Sequence, residues 1–298
     1  VYKRQHLKGT VDELSLRISD ARGKAIRDLA APEDRREPGI RTLCWDMRHE
    51  PIQARQSAAG AGGGRGGGSG AEIPGVPTPL APAGYLPADV CQTGGGGDAG
   101  PYVTPGTYTV ALRVNGNTVD TKTIHIVMDP EVDLGGVQRV AYDDMLLSLH
   151  ELQRRGTAMA GMLDEVYTQT IEISGGIGDN EGVPANVKAD FTSFHEAFDE
   201  LRVKFGVPLP AAGGSGRARF RRGGGDPANV LARISTLKSS ISSFWEAPSS
   251  ALVSQFYEAG PLLDTAMGEA EEFLAWARAL AATLEEYDIT LTVPPAGG

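Results

Sequence analysis

Hydrophobic periodicity divides the chain near residue 130. Upstream, apolar and polar residues alternate with a period of two; downstream, apolar residues recur every three or four positions. In residues 103–114, VTPGTYTVALRV, Tyr108, Val110, Leu112 and Val114 alternate with Thr107, Thr109, Ala111 and Arg113. This is the pattern of a half-buried strand, opened by Pro105-Gly106. Leu14, Leu16 and Ile18 alternate with Ser15, Arg17 and Ser19 in the same way. Asp20-Ala21-Arg22-Gly23 then has turn chemistry, and residues 24–29 return as the second strand of a hairpin. After Pro38-Gly39, residues 40–48 run with Leu43, Trp45 and Met47 on one face, which makes Trp45 the best candidate for the core. Asn115-Gly116 suits a type I′ turn, and residues 119–127 follow as a strand that ends at Asp129-Pro130. Five or six short strands without an intervening helix predict a β-sandwich, immunoglobulin-like or fibronectin type III-like, over residues 6–130.

From Gly136 the stripes are helical. Ala141, Met145, Leu149, Leu152, Gly156, Met159, Leu163 and Val166 mark one face of a long helix, ended by Gly175-Gly176-Ile177-Gly178. Val187, Phe191, Phe194, Phe198, Leu201 and Phe205 mark a second, stopped by Gly206-Val207-Pro208. Asp226-Pro227 reads as the N-cap and first residue of a third, with Val230, Ile234, Leu237, Ile241 and Phe244 as its stripe and Pro248 as its end. Leu263, Met267, Ala270, Leu274, Ala277, Leu280 and Leu284 mark a last helix or helix pair, with Gly260-Pro261 as a break or kink. Residues 131–293 are therefore expected to form an all-α antiparallel bundle of three to five helices, with residues 294–298 as a frayed tail.

Some stretches fit neither period. Residues 53–100 hold GAGGGRGGGSG and GGGG, with Pro74, Pro77, Pro79 and Pro82 between them. Such composition cannot bury enough apolar surface to offset its ordering entropy, so it reads as a long disordered insert between two strands. Residues 207–225 form a second, Gly/Arg-rich linker, with Arg217, Arg219, Arg221 and Arg222 around Phe220. A segment of this kind could engage RNA, but a single aromatic in an acidic chain favours a solvated loop. Val1-Tyr2-Lys3-Arg4-Gln5 resembles the translation of a transposon-end sequencing adaptor. On that reading residues 1–5 are an artefact and the gene is cut upstream; the alternative is a genuine polar arm.

The chain has 298 residues, room for two modest domains, and 41% hydrophobic residues, enough for real cores. Its net charge of −10 argues against nucleic acid as a partner. No apolar run is long enough for a membrane span. The two cysteines, Cys44 and Cys91, are too few for a disulfide framework but could form one bridge in an oxidising compartment. No Cys/His cluster has metal-ligand spacing, so neither a metal nor another cofactor is suggested. His125 reads as a solvent-facing or rim residue. His150-Glu151 and His195-Glu196 lack the second histidine of a zinc-protease helix. Asp143-Asp144, Glu271-Glu272 and Glu285-Glu286 are neighbours that diverge by about 100° around a helix, so they read as solvated faces rather than paired catalytic carboxylates. No nucleophile elbow, phosphate loop or dinucleotide fingerprint is present, and no catalytic residue is assigned.

Three segments carry a resemblance: LSLRISDARGKAIRDL, PGIRTLCWDMR, and VTPGTYTVALRVNG followed by TKTIHIVMDPEV. Together they resemble the C-terminal module of large bacterial exported proteins built on a sortilin-type, Asp-box β-propeller, often labelled glycosyl hydrolases. The family pattern runs D-A-x-G-K-x-V-R, then P-G-x-N-R-x-x-W-D-x-R, then V-x-P-G-T-Y-T-V-x-L. Asp20, Ala21, Gly23 and Lys24 match the first part, and Pro38, Gly39, Trp45, Asp46 and Arg48 the second. Val103, Pro105, Gly106, Thr107, Tyr108, Thr109, Val110 and Leu112 match the third. Ile40 stands where the pattern has Asn, and the glycine-rich insert is foreign to it. The β part is also similar to the immunoglobulin-like domain of the flagellar hook-capping protein.

The resemblance implies a non-catalytic structural and interaction module whose partner is an upstream propeller of the same polypeptide, in an extracytoplasmic location. Trp45, Asp46, Pro105, Gly106, Tyr108 and Val110 would then be scaffold residues. Two alternatives stand beside it. One is an accessory region that positions a glycan or peptide substrate for a secreted hydrolase; the other is a hook-capping-like assembly protein.

Overall fold

The computed structural model describes residues 2–52, 98–132, 134–208 and 228–295. Both low-complexity readings fall almost wholly outside these residues. Two antiparallel sheets, of two and four strands, precede four long helices. The described residues fall into two compact units: the first runs to Pro51 and then to Asp143, and the second holds Ile52 and everything from Asp144 on.

The first unit holds the strands. β1 (Tyr2–Leu7) pairs with β4 (Gly39–Cys44), from Tyr2 opposite Cys44 to Leu7 opposite Gly39. Residues 2–5, set apart in the sequence reading, are thus in ladder register, and Leu7 is buried. The larger sheet has the order β3-β2-β5-β6, with β2 Leu14–Ser19, β3 Ala25–Ala30, β5 Gly106–Val114 and β6 Asn117–Ile126. Its period-two pattern holds: Leu14, Leu16 and Ile18 are buried opposite Val114, Leu112 and Val110, and Tyr108 is buried further along β5. Turn chemistry fixes the hairpins. The Asp20 carboxylate accepts the N–H groups of Arg22 and Lys24, with Gly23 at φ 79°. Asn115 and Gly116 both have positive φ, as a type I′ turn requires.

One expectation for this unit is corrected. Residues 40–48 are not one strand. β4 ends at Cys44, and Met47 lies at φ 61°, so its side chain leaves the Trp45 face and is 37% exposed. The chain bends because the Asp46 carboxylate accepts the Arg48 N–H two residues on.

The second unit holds most of α1 (Gly136–Ile177), together with α2 (Ala185–Phe205), α3 (Val230–Ser242) and α4 (Ser250–Glu285). Contacts fix their directions. Tyr167 of α1 meets Phe198 of α2, while Lys188 near the start of α2 reaches the Gly178 carbonyl just past the end of α1. His150 of α1 meets Lys238 of α3, and Gly156 of α1 faces Leu231. Both α2 and α3 therefore run antiparallel to α1. They do so end to end, because Gly206, at φ 66° just past α2, lies against Asn229, the cap of α3. Arg155 pairs with Asp264, and Gly156 faces Leu263, which sets α4 alongside α1. Phe194 stacks on Phe273, and Lys204 pairs with Glu269, so α4 runs antiparallel to α2.

The helical stripes hold best in α2, where all six expected residues are buried. In α1 the first turns bury Tyr142 and Leu146, while Ala141 is exposed. Asp143 is not on a solvated face; it is buried and ion-paired with Arg139 at 2.6 Å. Phe244 lies beyond the end of α3 and is 64% exposed. α3 is capped by Asn229, whose side chain accepts the Ala232 N–H; the Asp226-Pro227 cap lies outside the described residues. Pro261 does not break α4, which runs through it. Among the described residues, no helix is long and apolar enough to cross a membrane.

Gly156 sets the spacing of α1 against α3 and α4. A Cβ there would collide with the Leu231 side chain and stand 3.1 Å from Leu263. Gly156→Val is expected to cost about 2–3 kcal/mol by overpacking, read as a lowered urea midpoint. Gly268→Ala on α4, with no atom within 4 Å of the new methyl, is the contrasting case, with a gain of up to about 1 kcal/mol.

Candidate functional site

The residues singled out in the β unit meet at one corner. Trp45 is 1% exposed, and its ring meets Tyr108 edge-on at 5.8 Å between centroids. Its Nε1–H donates to the Arg48 carbonyl at 2.9 Å, closing the turn that begins with Asp46. Tyr108 donates its hydroxyl to the Thr104 carbonyl at 2.7 Å, pinning the stretch around Pro105 and Gly106 to the start of β5. Val110 is buried two residues further along that strand. Cys44, next to Trp45, is disulfide-bonded; Cys91, the other cysteine of the sequence, lies outside the described residues.

Arg27, Tyr102 and the Arg48 side chain complete the corner, and the sequence reading gave none of them a role. Arg27 Nη1 lies 3.2 Å from Asp46 Oδ1, with both side chains mostly buried, and also donates to the His49 carbonyl. Arg27 lies in the first of the three segments, at a position that was given no role there. Arg48 donates to the Gly100 carbonyl at 3.0 Å, and its guanidinium lies 3.7 Å from the centre of the Tyr102 ring, a cation–π contact. The His49 N–H donates to the Pro101 carbonyl and the Val103 N–H to the Met47 carbonyl. Gly100 is required there, because a Cβ would collide with the His49 carbonyl.

These bonds bind the three motifs to one another. Arg27 to Asp46 joins the first to the second, and Trp45 to Tyr108 joins the second to the third. Most polar groups of the corner are engaged with one another, while the Arg27 Nε is buried without a hydrogen-bond partner among the described residues. The arrangement can hold the chain rigid where the three segments meet.

A second polar cluster lies between α1 and α2. Tyr167, 1% exposed, donates to Asp199 at 2.6 Å, and Arg202 Nε donates to the same oxygen at 2.6 Å. His195 stacks against Tyr167 at 6.2 Å. Burial, and then the bond to Asp199, push the Tyr167 phenol up to about 12. Burial also raises the Asp199 carboxyl, but the bonds from Arg202 and Tyr167 outweigh it and leave the group below the ordinary range. A phenol held protonated by an ionised carboxylate is a structural hydrogen bond. Burial raises the Tyr142 phenol as well, so at least two of the eight tyrosines should titrate late in the phenolate absorbance, and Tyr167→Phe should remove part of that phase. The sign follows from linkage. The unfolded phenol ionises near pH ~10 and the folded one near 12, so stability falls across that interval.

The remaining candidates are ordinary. His125 accepts or donates a bond with Thr107 across the β5–β6 pair at an exposed position. Glu271, Glu272, Glu285 and Glu286 are exposed. No group of three or more His, Cys, Asp or Glu among the described residues could hold a metal ion. Comparison of the chain with protein-family models, with curated proteins and with solved structures finds no match.

Proposed function

We propose that this chain is the non-catalytic C-terminal structural and interaction module of a larger exported β-propeller protein. The observation that carries the reading is the convergence of the three motifs on one corner, where Arg27, Asp46, Trp45 and Tyr108 hold one another. A recurring pattern whose residues spend their polar groups on each other is a pattern for a fold. On this reading the two sheets are the faces of an immunoglobulin-like sandwich. The Tyr108 hydroxyl bonding back to the Thr104 carbonyl, the geometry of a tyrosine corner, supports it. On the same reading the helices form a bundle in which α2 and α3, end to end, run against α1 and α4. A disulfide at Cys44 supports an extracytoplasmic location.

The accessory reading needs aromatic faces open to a sugar ring. Trp45 at 1% and Tyr108 at 5% exposure cannot supply them. The propeller reading is tested by long-read sequencing of the source DNA upstream of the codon for Val1. Several hundred codons of repeated Asp-box strands behind a signal peptide are expected. A start codon within a few tens of residues overturns it.

A further inference from the structure

Past α4 the chain turns back on itself. Asp288 takes φ 59°, and the Ile289 N–H donates to the Leu284 carbonyl, closing the helix. Residues 289–293, ITLTV, then show period-two burial: Leu291 is buried, Ile289 and Val293 are half-buried, and Thr290 and Thr292 are exposed. This is an extended segment of strong strand formers that belongs to neither sheet. Gln169 of α1 holds it by its backbone: its side chain accepts the Thr292 N–H at 2.7 Å and donates to the Thr292 carbonyl at 2.9 Å. Arg278 of α4 fixes the far end through the Pro294 carbonyl at 3.2 Å, so residues 294 and 295 continue an anchored segment.

In an extended chain the N–H and C=O of one residue share an edge, and the next residue uses the other edge. The Thr292 edge faces Gln169. The opposite edge carries the backbone groups of Leu291 and Val293, which make no hydrogen bond among the described residues. A groove of about 380 Å³ lies between this segment and α4. On α4 it is lined by Ala281 and Ala282, with Glu285 and Arg278 at its two ends. A strand edge with free donors and acceptors, set beside a helix of small residues, is the arrangement for strand addition.

We propose that this groove is a docking site for an extended peptide of a partner protein. The peptide adds as an antiparallel strand to the Leu291–Val293 edge and lays an apolar side chain over Ala281 and Ala282. Charge sets its direction. Residues 289–293 run from the Glu285 end to the Arg278 end, so an antiparallel peptide enters at Arg278. On its face toward α4 it carries, at alternate positions, an acidic residue first, an apolar residue in the middle and a basic residue last. The proposal concerns the helical unit alone and does not depend on an upstream propeller.

The test is fluorescence polarisation with a labelled peptide Glu-Thr-Val-Thr-Lys, blocked at both ends, against the whole chain. Saturable binding is expected, weakened at least tenfold by reversing the peptide to Lys-Thr-Val-Thr-Glu and by N-methylation of its central amides. Arg278→Glu should also weaken it at least tenfold, in protein whose helical circular dichroism is unchanged. No binding up to millimolar peptide overturns the proposal. So does binding indifferent to N-methylation, which touches the peptide and leaves the protein's folding aside.

Discussion

Trp45→Ala is expected to destabilise the β unit by about 3–5 kcal/mol, read from the urea midpoint of the purified chain. The indole is 1% exposed and packs edge-on against Tyr108, so truncation removes a large apolar surface and leaves a cavity that the two small sheets cannot close. It also leaves the Arg48 carbonyl without the Nε1–H donor that closes the turn. Trp45→Phe separates the two effects: it keeps most of the ring surface and loses the hydrogen bond, and its expected cost is about 1–2 kcal/mol. Against a typical domain stability of about 5–15 kcal/mol, the alanine variant stands near the edge of folding. A loss below about 1 kcal/mol would mean that Trp45 is not at the centre of the β core.

Legibility in the sequence follows the strength of the local signal. The α2 stripe is spaced 4-3-4-3-4 with four phenylalanines, and every one of its residues is buried. Nothing local competes with such a pattern. The β2 and β5 alternations were legible for the same reason, since a strand with one buried face shows its period directly. Met47 misled because alternation assumes a straight strand, whereas the Asp46 carboxylate curls the chain after Cys44. β1, with the polar sequence YKRQHL, has no period to read; its strand state comes from pairing with β4. Pro261 misled in the other direction. It is exposed, so the Tyr257 carbonyl that its missing N–H leaves unpaired faces water, and the helix continues. In the candidate site, Trp45 and Tyr108 were legible as apolar residues at period-two positions, and both are buried. Arg27 and Tyr102 were not, because each acts on a residue far along the chain: Arg27 on Asp46, Tyr102 on Arg48. No window of local periodicity spans those separations.

The Arg27–Asp46 pair gives the second large effect. Its side chains are 13% and 11% exposed, so each charge has lost most of its water and depends on the other. Asp46→Ala removes the carboxylate that faces Arg27 and the acceptor of the Arg48 N–H, and should cost about 2–4 kcal/mol. Arg27→Met keeps the aliphatic bulk and leaves Asp46 with its backbone bond, so about 2 kcal/mol is expected. The double variant should cost less than the sum of the two, by about 1–2 kcal/mol, because removing the second charge relieves the penalty created by removing the first. Urea unfolding of the four proteins measures that coupling. Its size decides why the motifs occur together. A coupling above about 1 kcal/mol means that Arg27 of the first segment and Asp46 of the second form one structural unit, held in the fold by mutual desolvation. Additive losses would mean that each is held by other neighbours, and the convergence at this corner would no longer account for the pattern.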